Sequence, residues 1–205
     1  LHAIFDADNY LAGLNLGGTS DVGGGRDIGG GIVFADTKAT IENCSLSNNT
    51  VEGLNGSGGA INFYGGFVEH SVKNCLLTGN SASVDGGAIS CNLFAKPEIQ
   101  NCTFGENRTD GMGGAIFCDW SSDAKISDSI FQGNNNGAIA EEDVGETTVK
   151  YSIFDKNPDG DYRLYDTANQ QVSTSSGTEL SATNSQVDPL FVAGPLGKYY
   201  LSQLV

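Results

Sequence analysis

The stretch Gly86-Gly87-Ala88-Ile89-Ser90-Cys91, followed shortly by Ile99-Gln100-Asn101-Cys102-Thr103-Phe104-Gly105-Glu106-Asn107, decides the fold of this chain. Closely similar text occurs upstream at 58–63 and 72–80, and downstream at 113–118 and 126–134. The second glycines of the four strongest copies, at 31, 59, 87 and 114, are 28, 28 and 27 residues apart. A fixed period of this length is typical of a solenoid, in which each repeat stacks on the next.

Within each half of the repeat the apolar residues alternate with period two, which predicts short strands with one buried face. The phase of the alternation changes at Asn101, so the chain must bend there, at a residue that tolerates a left-handed backbone conformation. Three short strands per period predict an all-β fold, a single right-handed parallel β-helix of about six to seven coils.

Two columns of asparagine follow from this stacking. The bend column would hold Asn43, Asn74, Asn101, Asp128 and Tyr151, and a second column would hold Asn49, Asn80, Asn107, Asn134 and Asn157. Stacked amides can bond along the axis and so satisfy polar groups that the turns would bury. The columns also create Asn-x-Ser/Thr sequons at Asn43, Asn48, Asn55, Asn101 and Asn107. We interpret these sequons as a by-product of the repeat, with Asn43 and Asn101 inaccessible.

We divide the chain, taken as one domain, into an irregular or capping segment (1–22), the repeats (23–157), and the last coils with a C-terminal cap (158–205). Leu1-His2 lacks both an initiator Met and a signal-peptide pattern, so we expect an excised or processed piece. The five cysteines occupy equivalent repeat positions and are interpreted as small buried hydrophobes, with a strained disulfide between coils as the alternative.

The repeated Gly-Gly-Ala-Ile (58–61, 86–89, 113–116) and Phe-x-x-Asn (104–107, 131–134, 154–157) resemble the repeats of chlamydial-type polymorphic outer membrane proteins. More broadly they are similar to bacterial secreted β-helix proteins of the pectate-lyase-like superfamily. The resemblance covers roughly residues 23–205. It implies a surface or secreted adhesin or passenger, or a polysaccharide-active relative.

Charge and composition exclude several classes of function. A net charge of -15 argues against nucleic acid and anionic membranes as partners, and the ten lysines and arginines are scattered along the sequence. The sequence contains no apolar run long enough to span a membrane. The glycines at 23–31 lack the Lys-Ser/Thr and the helix that a nucleotide site requires.

Aromatic residues recur in the loops after the Gly-Gly-Ala-Ile strands: Tyr64, Phe67, Phe94 and Trp120. Such rows can stack against the apolar face of sugar rings. Asp119 and Asp123 share one of these loops, with Glu141, Glu142 and Asp143 near the same place one coil later. We therefore predict ligand binding by Tyr64, Phe94, Trp120, Asp119 and Asp123, and identify no catalytic residue. His70 is interpreted as an inert loop residue.

The only cofactor we predict is calcium. Asp155, Asn157, Asp159, Asp161 and Asp166 follow a pattern close to that of an EF-hand loop, in which alternate oxygen ligands surround a glycine turn. The alternative is ordinary turn chemistry.

Taken together, these features favour a non-enzymatic, secreted or cell-surface adhesion or carbohydrate-binding module, with an extracellular polysaccharide or a host or cell-surface glycan as partner. The alternative is a polysaccharide lyase or glycoside hydrolase of the β-helix type, and a purely structural stalk is a third reading.

Overall fold

The computed structural model describes residues 3–5, 9–12, 15–21, 31–65, 69–119, 121–143, 146–175, 177, 181–189, 191–194 and 197–201. Its elements, in chain order, are 24 β-strands. The N-terminal strands are β1 (Ala3–Phe5), β2 (Asn9–Ala12) and β3 (Asn15–Asp21). The first turn has β4 (Ile32–Ala35), β5 (Ala39–Glu42) and β6 (Ser45–Glu52), and the second has β7 (Ile61–Tyr64), β8 (His70–Lys73), β9 (Leu76–Thr78) and β10 (Ser81–Ala82).

The third turn has β11 (Ile89–Asn92), β12 (Glu98–Gln100), β13 (Thr103–Gly105) and β14 (Arg108–Thr109). The fourth has β15 (Ile116–Cys118), β16 (Lys125–Ser127) and β17 (Ile130–Gln132), and the fifth has β18 (Ile139–Glu142), β19 (Thr148–Lys150) and β20 (Ile153–Asp155). The last strands are β21 (Tyr162–Asp166), β22 (Gln171–Ser175), β23 (Phe191–Gly194) and β24 (Gly197–Leu201).

Successive turns stack to form three sheets. Sheet A runs β1-β4-β7-β11-β15-β18-β21-β22, sheet B contains β2, β5, β8, β12, β16 and β19, and sheet C is built on β3, β6, β9, β13, β17 and β20. The pairing is parallel and one turn apart, as the register of Ile89 with Ile116 shows. The predicted all-β parallel β-helix with three strands per coil is therefore confirmed.

Five consecutive turns, β4 to β20, carry the repeat. On the C-terminal side β21 still pairs in parallel with β18, and the antiparallel strand β22 that follows ends the parallel stacking of sheet A. At the other end, the described part of segment 1–22 is not irregular: β1, β2 and β3 pair in parallel with β4, β5 and β6. The sequence of these strands lacks the repeat motif, so they can be recognised only from their pairing with β4, β5 and β6.

The repeated glycines are required by the close approach of neighbouring turns. Gly86 has a φ of +66°, a conformation that favours glycine. A side chain on Gly87 would place its Cβ 2.2 Å from the carbonyl oxygen of Gly114 in the next turn. The Gly-Gly pair therefore shapes the entrance to each strand of sheet A.

The core is a set of stacked columns between the sheets. Phe104, Phe131 and Phe154 stack with ring centroids 4.9 and 5.0 Å apart. All five cysteines are buried, and none forms a disulfide within the described residues, in agreement with their interpretation as small core residues. Cys75 also donates from Sγ to the carbonyl oxygen of Lys73 (3.1 Å), and in the later turns Ser129 and Ser152 make the equivalent bond from their hydroxyls.

Candidate functional site

The loop between β11 and β12 holds two large apolar side chains at the surface. Leu93 and Phe94 are 39% and 40% exposed, and their φ angles are +54° and +71°. Bulky residues rarely adopt this left-handed conformation, which costs on the order of 1–2 kcal/mol for each one. We call these two residues the ledge. It combines backbone strain with exposed apolar surface, and neither helps the fold.

The next turn holds the ledge in place. The backbone N–H of Leu93 donates to Asp119 Oδ2 (2.8 Å), and that of Phe94 donates to Ser121 Oγ (3.2 Å). Asp119 Oδ1 accepts in turn from the backbone N–H and hydroxyl of Ser121. Asp119, predicted to bind ligand, is thus occupied in positioning the ledge.

A groove of about 420 Å³ lies on the outer side of sheet B, and the ledge and the groove are close along the chain. It begins at Lys96, two residues after Phe94. Its charged and hydroxyl side chains are Lys38, Lys73, Lys96, Lys125, Glu69, Glu98, Thr40 and Ser71. Four of the ten lysines and arginines of a strongly acidic chain therefore meet at one groove.

Two of the four lysines are neutralised by neighbouring turns. Lys73 Nζ lies 3.0 Å from Glu98, and Lys96 Nζ lies 2.5 Å from Asp123. The hydrogen bond to Asp123 raises the pKa of Lys96. Burial opposes ionisation of Asp123, but hydrogen bonds from Lys96 and from the backbone N–H of Glu146 outweigh it and lower the pKa of Asp123.

Lys38 and Lys125, in contrast, form no ion pair within the described part of the chain. These two ammonium groups, with the hydroxyls of Thr40 and Ser71, are the groove donors most open to a ligand. Because the basic residues are scattered along the sequence, nothing in the sequence predicted this face.

The predicted ligand-binding residues are thus only partly brought together. Phe94 is exposed, two residues before the groove residue Lys96. Tyr64 is half-buried at the end of β7, where it pairs in register with Asn92. Asp123 sits at the groove edge but is engaged by Lys96. Phe67 and Trp120 lie outside the described residues.

The side-chain oxygens of the predicted calcium loop accept hydrogen bonds from different parts of the chain. Asp155 accepts from Gln132 Nε2, Asp159 from the backbone N–H of Asn136, and Asp166 from Asn169. Asn157 Oδ1 accepts from Asn134, and the buried carboxylate of Asp161 accepts from Asn157, Gly177 and Gln186. Within the described ranges, no group of three or more His, Cys, Asp or Glu is placed to hold a metal. The calcium site stays a prediction, without a preformed cluster.

Two ionisable groups lie inside the solenoid. His70 is in strand β8 and not in a loop as expected: it is 2% exposed, its ring lies 4.5 Å from that of Phe63, and neither nitrogen has a hydrogen-bond partner among the described residues. Burial lowers the pKa of His70 to about 4.

Glu141 also points inward and is not part of a surface cluster with Asp119. It accepts from the Tyr162 hydroxyl and the Thr147 backbone N–H, and burial raises its pKa. His70 also lines the groove, but at 2% exposure its ring belongs mainly to the core, and Glu141 is not among the residues that line the groove.

Comparison with known proteins agrees with this architecture. Residues 25–187 match the family model described as right handed beta helix region. No curated protein and no solved structure matches the chain. Among the described residues, no helix is long and apolar enough to cross a membrane. With the family match covering most of its length, the chain belongs to the right-handed β-helix family.

Proposed function

We propose that this β-helix is a non-enzymatic carbohydrate-binding module of a secreted or cell-surface protein, and that an extracellular polysaccharide or cell-surface glycan lies across the ledge and along the groove. The observation that carries the proposal is the ledge, since exposed apolar residues in strained backbone conformations cluster at functional sites. Leu93 and Phe94 meet both criteria, and the hydrogen bonds that their backbone N–H groups donate to Asp119 and Ser121 maintain them.

The chemistry of the surface suits a sugar chain. The ring of Phe94 offers a flat apolar surface for the C–H face of a sugar. Hydroxyl groups of the same sugar can bond to Thr40, Ser71 and Glu69 in the groove. Lys38 and Lys125 carry the ammonium groups for acidic substituents, which would make binding weaken with salt.

Binding to a glycan panel, followed by calorimetry on the glycans retained, tests the proposal. Phe94→Ala should weaken binding about tenfold, because an aromatic contact contributes on the order of 1 kcal/mol beyond its buried area. Leu54→Ala is the matched control, since Leu54 is 94% exposed on a loop between sheets C and A. Equal affinity of the Phe94 variant and the parent protein, or equal loss in the control, would contradict the proposed site.

A further inference from the structure

The loop between β6 and β7 contains an Asn-Gly pair in which Asn55 is exposed and Gly56 is buried. Leu54 and Asn55 project from a turn closed by a 3.3 Å bond from the Gly56 N–H to the Gly53 carbonyl, at the long end of hydrogen-bond distances. Within the described part of the chain, the side chain of Asn55 makes no hydrogen bond. This Asn is one of the sequon residues noted above, and it belongs to neither asparagine column.

The chain has a second Asn-Gly pair that is held in place. Asn136 lies at φ +49°, donates from its backbone to Asp159 (2.9 Å) and from its side chain to the Thr109 carbonyl (2.8 Å). The carbonyls of Asn136 and Gly137 accept from Gly113 and Gly114 of the preceding turn, at 3.0 and 2.7 Å. Backbone and side chain are therefore both fixed at this pair.

We propose that Asn55-Gly56 is a site of spontaneous backbone modification through a succinimide. The Gly56 nitrogen attacks Cγ of Asn55, the new C–N bond closes a five-membered ring, and the side-chain nitrogen leaves as ammonia with the proton from Gly56. Water then opens the ring at either carbonyl and gives aspartate or isoaspartate. The reaction needs only water, and no atom changes its oxidation state.

Local structure decides which pair reacts. Ring closure needs rotation about the Asn backbone and an unobstructed approach to the glycine nitrogen, where the absence of a Cβ helps. At 55–56 the backbone is held by a long hydrogen bond from the Gly56 N–H to Gly53 (3.3 Å) and by one from the Val84 N–H to the Gly56 carbonyl (2.9 Å), and within the described part of the chain no hydrogen bond holds the Asn55 side chain. At 136–137 several shorter bonds and the ladder between turns oppose it, so a local opening must come first.

The product would add one negative charge to the turn, and isoaspartate would lengthen its backbone. The turn lies between strands of sheets C and A, on the side of the coil away from sheet B. The inference therefore does not depend on the proposed function, and the modification should leave the ledge and groove unchanged.

Peptide mapping by mass spectrometry after storage of the intact protein in mildly alkaline buffer tests this inference. In the folded protein the Asn55 peptide should convert at least about tenfold faster than the Asn136 peptide, a ratio that corresponds to about 1.4 kcal/mol of extra opening free energy at the second pair. In denaturant the two peptides should convert at similar rates.

Isoaspartate methyltransferase labelling gives an independent readout, and Asn55→Gln is its control, because glutamine would have to close a six-membered ring. The variant should lose most of the label. Conversion of Asn55 no faster than that of Asn136 in the folded protein would overturn the inference, and so would unchanged labelling of Asn55→Gln.

Discussion

The two asparagine columns look alike in the sequence, but they differ in what they require. In the bend column every residue is exposed, so the expectation that Asn43 and Asn101 are inaccessible was wrong. There φ lies between +52° and +54° whether the residue is Asn101, Asp128 or Tyr151. In the inner column all five residues are asparagine, and the four from Asn49 to Asn134 are at most 1% exposed. One column selects for a backbone conformation, and the other selects for a side chain.

Hydrogen bonds explain the strictness of the inner column. The Asn107 side chain accepts from the backbone and side-chain amides of Asn80 (both 3.0 Å), and donates to Asn134 (3.0 Å) and to the Leu77 carbonyl (2.9 Å). Each inner asparagine thus satisfies groups of the turn before and the turn after. In the bend column the one comparable bond, from Asn101 to Asn74, is long (3.3 Å) and exposed.

The substitution Asn107→Ala tests this difference between the two columns with the largest expected effect. The change leaves the Asn80 backbone N–H and the Leu77 carbonyl buried without these partners, at about 1–3 kcal/mol each. We expect the free energy of unfolding to fall by about 3–5 kcal/mol in all. Denaturant titration measures it, with Asn101→Ala as the matched control. A loss below that of the control would show that the inner column is not held by its amides.

A second test uses His70, a buried polar residue whose ring nitrogens have no hydrogen-bond partner in the described part of the chain. His70 is as buried as Asn107, but its pKa is lowered from 6.5 to about 4, so between these values the unfolded chain binds a proton that the fold does not. The part of the free energy of unfolding that depends on neutral His70 is therefore fully present above pH 6.5. It decreases as the pH falls toward 4, by up to about 3 kcal/mol.

In His70→Leu this part of the pH dependence should disappear. The raised pKa of Glu141 acts in the opposite direction, because the folded state there favours the protonated form, and it is common to both proteins. Unfolding free energies of the two proteins, measured by denaturant titration at both ends of this pH range, give the difference. Parallel pH profiles of parent and variant would show that His70 does not govern the acid response.

The repeat and the position of the bend could both be predicted from the sequence. The phase change at Asn101 predicted the left-handed conformation there, and the same reasoning placed Asp128 and Tyr151 correctly. It did not predict a second left-handed position just before the inner asparagines, at Asn48, Gly79, Glu106, Gly133 and Lys156. Glutamate and lysine have no local preference for that conformation, so stacking on neighbouring turns must impose it.

The functional surface was less predictable for a related reason. The four groove lysines are 35, 23 and 29 residues apart, because they lie at different positions across sheet B, and no single period connects them. Only strand register brings them together. Asp119 and Asp123 were visible as loop acids, but their partners, the Leu93 backbone N–H and Lys96, lie one turn earlier, 26 and 27 residues away. The ledge itself depends on those contacts.

The prediction with the smallest expected effect concerns the backbone conformation of the bend column. At Asn101 we expect alanine to cost about 1 kcal/mol, since its Cβ is disfavoured at φ +53°, whereas glycine should stay within about 0.5 kcal/mol of the parent. Denaturant titration of both variants gives the order. Both variants lack the side-chain amide, so a higher free energy of unfolding for the glycine variant than for the alanine variant would be due to the backbone conformation alone. An equal loss in the two variants would instead assign the energy to the amide, and the two columns would then differ only in burial.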